Sequence, residues 1–222
     1  MRARKTRFSS IAALGVGIFA LALASPARAE GGLSSDEMGQ LSRGETVVRA
    51  QDMEAQGRRY VGGVTYTVLE ASAEELMAVL DDPHAFTEFL PKTKFAERVA
   101  AHGRDSLMEL HQGNALVDAA YTLYIRKEPE RGRVRFWLDL SRPHAIDDAW
   151  GFFRYQALDA TTQAPRTLMV YGALVDLGPG IIRELYEERL RRVMLAVPQL
   201  VRQYIARSAA GRRPRVAAPE GR

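Results

Sequence analysis

Cysteine is absent from all 222 residues, so neither a disulfide nor a lipid-modified lipoprotein terminus can form, and the fold must rest on its core. Histidine is scarce. The four present, His84, His102, His111 and His144, show neither the i,i+4 spacing nor the cysteine partners of common zinc sites. His144 with Asp147 and Asp148 forms the one compact cluster, and chain reversal explains it better than a metal. The sequence lacks a G-x-S-x-G nucleophile turn, a phosphate-cradling glycine loop and any thiol, and it implies no cofactor. Acid/base catalysis is still open, because a carboxylate and a histidine can meet from distant strands. Glu109 and His111 share a strand face with Leu107, but Met108 and Leu110 make the better dry face, so the pair is expected in solvent.

Acidic residues are missing from the first 29 positions, which hold Arg2, Arg4, Lys5, Arg7 and Arg28. An apolar run from Ile11 to Ala24 follows the basic start and leads to Pro26 and Ala27-Arg28-Ala29. This is the pattern of a cleaved signal peptide over residues 1–29, and the run falls short of the ~20 residues needed to span a bilayer. A periplasmic or secreted protein is therefore expected. From Glu30 onward, 26 basic side chains face 27 acidic ones, which removes the electrostatic basis for a nucleic-acid partner. The basic tail, 208–222, is rich in Ala, Gly, Pro and Arg and is expected to be disordered. Its arginines leave transient membrane contact open, and nothing in the sequence fixes an oligomeric state.

Between these ends the pattern reads as one domain over 46–207, preceded by a linker with a short helix over 30–45. Ser72 with Glu75 forms a capping box ahead of Leu76, Met77, Val79 and Leu80, and a second short helix is expected from His84 to Leu90. Runs of period two cover Thr46–Met53, Arg59–Leu69, Phe95–Ala101, Leu107–Gln112, Leu116–Arg126, Val134–Leu140, Trp150–Ala157 and Thr167–Val175. Their hairpin spacing predicts an antiparallel sheet of six or seven strands. The last element is read as one long helix, Gly180–Arg207. Tyr186, Leu190, Val193, Val197, Leu200 and Tyr204 lie on one arc, and Pro198 bends the axis from the polar side.

The order of elements, and the stretch SAEELMAVLDDPHAFTEFLP at Ser72–Pro91, resemble the helix-grip fold of the START-like (SRPBCC) superfamily, which includes polyketide cyclases, coenzyme Q-binding proteins and lipid-transfer domains. The resemblance implies an α+β fold, a curved antiparallel sheet gripping a C-terminal helix, with an apolar cavity between them. It also implies a hydrophobic small molecule or lipid as partner. Residues expected to line that cavity are Tyr121, Leu123, Phe136 and Leu138 of the sheet and Tyr186, Val193 and Val197 of the helix. The aromatic stretch Ser141–Tyr155 adds Trp150, Phe153 and Tyr155, with His144, Arg154 and Arg142 expected at the mouth. Three readings follow: a binding or carrier protein, a cyclase/aromatase-like enzyme using the same cavity, or an interaction domain whose cavity is filled by its own side chains.

Overall fold

Capping chemistry places the first helices. The computed structural model describes residues 32–113, 118–158 and 164–212, with backbone alone at 181–185 and 211–212. Ser34 caps α1 (Ser35–Ser42) and Ser72 caps α2 (Ala73–Asp81); each hydroxyl accepts from the N–H three residues on, while Glu37 and Glu75 reach back to the cap N–H. Helix α3 (Pro83–Phe89) follows at once. Asp82 ends α2, accepts from the His84 N–H, and is followed by Pro83 at the first helical position, where a missing N–H removes no intrahelical bond.

Eight strands form one antiparallel sheet: β1 (Val47–Ala55), β2 (Arg58–Leu69), β3 (Thr93–His102), β4 (Asp105–Gly113), β5 (Asp118–Glu128), β6 (Arg133–Leu138), β7 (Asp148–Leu158) and β8 (Arg166–Asp176). Their order is β1-β2-β8-β7-β6-β5-β4-β3. The count exceeds the expected six or seven because β1 pairs with β2 over nine residues and so joins the sheet as its edge. Helices α2 and α3 carry the chain from β2 to the opposite edge, after which each strand returns beside the last until β8 meets β2. Residues 114–117, where the expected fifth run begins, lie outside the described residues, as do the expected signal segment 1–29 and residues 213–222 of the tail. The chain divides into two units, Met1–Gly32 and Leu33–Arg222, and every element belongs to the second.

The expected single closing helix is two helices, α4 (Ile181–Leu195) and α5 (Val197–Arg212), the latter continuing past Arg207. The break has a cause on each side. Pro198 offers no N–H to Met194, and the Thr65 hydroxyl of β2 donates to the Leu195 carbonyl at 2.9 Å in a buried position. Pro198 is itself fully buried, so it bends the axis from the core side rather than from the polar side. Helix α4 lies against β1, β2 and β8, held there by Arg191 on Asp52 at 2.6 Å and Arg59 on Glu187 at 2.8 Å; α5 lies against β2, β8, α2 and α3. Leu69, Leu76, Met108, Leu110, Met169 and Val201, all fully buried, form the centre of the core.

Candidate functional site

Register decides which side chains face the helices, because directly opposed residues of an antiparallel pair share a face. Thr65 reaches α4, so its face is the inner one. Thr65 opposes Tyr171, which opposes Phe153, which opposes Val134; two residues along, Phe136 opposes Ile125, and Leu123 opposes both Leu138 and Met108. All these side chains therefore point inward. Gly151 is required opposite Phe136: a Cβ there would come within 2.3 Å of the ring and of the Gly172 carbonyl oxygen, so the ring lies across bare backbone. That lets Phe136 pack on Phe153 at 5.7 Å and on Tyr171 at 6.2 Å, and Phe153 on Tyr171 at 4.8 Å.

Burial across this face is uneven. Met108, Leu110, Val134, Leu138, Phe153, Met169 and Tyr171 are closed off, whereas Tyr121, Leu123, Ile125, Phe136 and Tyr155 touch the core and remain partly accessible. On the helix side Tyr186, Leu190 and Val193 are likewise partly buried, while Val197 is sealed. The inner face of the sheet thus keeps an incompletely covered apolar patch on β5, β6 and β7, and α4 carries an incompletely covered apolar stripe of its own. A further cleft of about 220 Å³ opens between α2 and α5, lined by Val79, Tyr204 and Ile205 among others.

The hydrogen-bonded polar groups around Tyr121 are neutral. The Tyr121 hydroxyl donates to Gln112 Oε1 at 2.6 Å, and Gln112 Nε2 donates to Thr93 Oγ1 at 2.9 Å. Tyr171 has no hydrogen-bond partner among the described residues. Burial pushes the Tyr121 and Tyr171 phenols well above the ordinary tyrosine range, and at Tyr171 the neighbouring Tyr121 adds to the rise. Burial also raises Tyr155, with Asp81, Glu130 and Glu74 adding to it. On the outer face burial, then the bond to Asp148 at 2.7 Å, takes Tyr60 up to about 12. A folded-state pKa above the unfolded value stabilises below the unfolded pKa, near 10, and that stability is lost as pH rises through the folded value. An alkaline titration followed by phenolate absorbance should therefore show Tyr121 and Tyr171 ionising only together with unfolding. Early, reversible ionisation of both would contradict the burial described.

The structure brings together Tyr121, Leu123, Phe136, Leu138, Phe153 and Tyr155 on the inner face of the sheet, while Tyr186 and Val193 lie half-buried on α4, which packs on β1, β2 and β8. It separates the rest. Trp150 and Arg154 alternate with Phe153 and so point outward, Trp150 opposite Trp137 and Arg154 opposite Arg133. His144 sits exposed in the loop before β7, its Nδ1 2.8 Å from the Ile146 carbonyl, and Arg142 lies 3.8 Å from Glu109. The expected mouth residues are thus on the outer face or its loops, because strand parity in β7 divides the aromatic stretch between two faces. Glu109 and His111 pair at 2.8 Å, half-exposed on that outer face beside the stacked Tyr124 and Trp137 rings. Tyr171, Gln112 and Thr93 were not anticipated. Tyr171 could have been found from its shared parity with Met169 in β8, but Gln112 and Thr93 carry no pattern of their own. Among the described residues no group of three His, Asp or Glu comes together as a metal site, and no helix is long and apolar enough to cross a membrane.

No family model matches the sequence, and no curated protein matches it. Solved structures do. A STAR-related lipid transfer protein fragment from Xanthomonas axonopodis is 17% identical, with a TM-score of 0.59 over 72% of this chain and 93% of that one. The Zhui aromatase/cyclase from Streptomyces sp. R1128 is 16% identical, with a TM-score of 0.54 over 78% of this chain and 99% of that one. A protein from Thermus thermophilus is 13% identical, with a TM-score of 0.51 over 66% of this chain and 97% of that one. The chain has a START-like helix-grip fold.

Proposed function

We propose that this protein binds or carries a hydrophobic small molecule, such as a lipid, sterol, quinone or polyketide-like compound, between the inner face of its sheet and helix α4, and does so outside the cytoplasm. One observation carries the reading. Tyr121, Leu123, Ile125 and Phe136 point inward yet stay partly accessible, although they pack against the core. A closed core would bury them, and an underfilled apolar space between two packed layers is where small hydrophobic ligands sit. Proteins of the same fold described as lipid transfer and aromatase/cyclase proteins support it at the level of architecture. Export rests on the basic start, the apolar run and the Ala27-Arg28-Ala29 site.

The cyclase-like alternative is weaker on one particular point. Neither described carboxylate–histidine pair serves the groove, since Glu109 with His111 lies on the outer face and His84 with Glu88 is exposed on α3, while the groups bonded around Tyr121 are a phenol, an amide and a hydroxyl that carry no charge at neutral pH. Solvent extraction of protein purified without detergent, followed by mass spectrometry, is the direct test. A reproducible apolar species is expected; protein that is empty in every preparation and also ignores fluorescent lipids would refute the carrier reading.

A further inference from the structure

Given that reading, the polar groups within the groove define what its guest must carry. Tyr171 is 6% exposed, and its hydroxyl has no partner among the described residues. The fully sealed side-chain atoms without a hydrogen bond among those residues are Arg166 Nε and Arg191 Nε, so the Tyr171 oxygen, which is not one of them, keeps some accessible surface. An interior hydroxyl without a partner is costly to retain, and a guest oxygen would satisfy it. Tyr121 complements it. Its proton is committed to Gln112, whose amide is committed in turn to Thr93, so the Tyr121 oxygen presents lone pairs to the groove.

Charge sharpens the assignment. Lys127 is bound to Asp81 at 2.5 Å, Arg98 to the Asp81 carbonyl, Arg59 to Glu187 at 2.8 Å and Arg191 to Asp52 at 2.6 Å. These four cations of the inner face and α4 are thus already engaged. The burial that keeps both phenols protonated would weigh equally against a carboxylate placed between them. We infer that the groove selects an uncharged apolar molecule bearing a carbonyl or hydroxyl oxygen. That oxygen accepts from Tyr171, and a guest hydroxyl donates to Tyr121.

Isothermal titration calorimetry of the full chain with cyclodextrin-delivered decan-2-one, 1-decanol, decanoate and 1-decene at pH 8 tests this. Decan-2-one should bind about 10-fold or more tightly than decanoate, given the cost of burying an unpaired charge. Tyr171→Phe, which keeps the ring on Phe153, should weaken decan-2-one about fivefold while leaving 1-decene within about twofold, the loss of one neutral hydrogen bond. Tyr121→Phe, judged with 1-decanol, is the second variant and should show a similar loss. Unchanged ketone and alcohol affinity in both variants would overturn the oxygen subsite while leaving the carrier reading intact. Decanoate binding as tightly as the ketone would overturn the selectivity for neutral guests. If none of the four bound the wild type, the groove reading itself would fall with the inference.

Discussion

Gly62→Ala should destabilise the protein by about 3 kcal/mol or more, a large fraction of the roughly 5–15 kcal/mol that holds an ordinary domain folded. The reason is local and steric. A Cβ at position 62 would lie 1.9 Å from the Ala173 carbonyl oxygen and 2.9 Å from its carbon, and the backbone there has φ +157°, which side chains rarely adopt. The atom struck is backbone in β8, hydrogen-bonded within the sheet, so no side-chain rotation relieves it. Relief requires β2 and β8 to separate, and these two strands carry α4 and α5. Gly57→Ala is the control. Gly57 also has a positive φ, +74°, but nothing lies within 4 Å of its would-be Cβ, so only the conformational penalty of about 1 kcal/mol applies. Urea unfolding followed by circular dichroism distinguishes the two. Equal, small losses at both positions would mean that β2 and β8 do not approach as closely as described.

That contrast marks where the sequence was informative. Capping boxes are local chemistry, and Ser34 with Glu37 and Ser72 with Glu75 could be read from spacing alone. Alternation gave the faces of β4 and β6, because Met108 and Leu110 flank Glu109, and Val134 and Phe136 alternate with Arg133 and Arg135. It gave only the division in β7, where Trp150 and Phe152 on one side and Phe153 and Tyr155 on the other are equally aromatic. Parity separated the two sets without saying which was interior, and the register with Tyr171 in β8 settles it. The apolar inner face was therefore legible, while its hydroxyls depend on non-local pairing that no single stretch encodes. The helix break shares this limit. Pro198 announced a bend, but the direction of the bend depends on Thr65, 133 positions earlier in the chain.

Thr65 is where the second large effect is expected. Thr65→Val preserves shape and removes the proton that the buried Leu195 carbonyl accepts, so it should cost about 1–3 kcal/mol, whereas Thr65→Ser, which keeps the hydroxyl, should cost less than half as much. Pro198→Ala acts on the same joint from the other side. It restores an N–H within reach of Met194 but removes a ring that is fully buried, so its stability change is a difference of opposing terms. What the two substitutions share is release of α4. The helix is pinned to the β1–β2 edge by Arg191 on Asp52 and Arg59 on Glu187, and at its far end by the Thr65 bond alone among the hydrogen bonds from the sheet to the described residues of the joint. The placement of α4 over the sheet thus depends on that joint. Thr65→Val and Pro198→Ala should each change affinity for decan-2-one, and in the double variant their effects on affinity should be non-additive by about 0.5 kcal/mol or more, because both act through one structural element. Additive effects, or affinity untouched while stability falls, would make the joint a support of the fold that does not set the width of the groove.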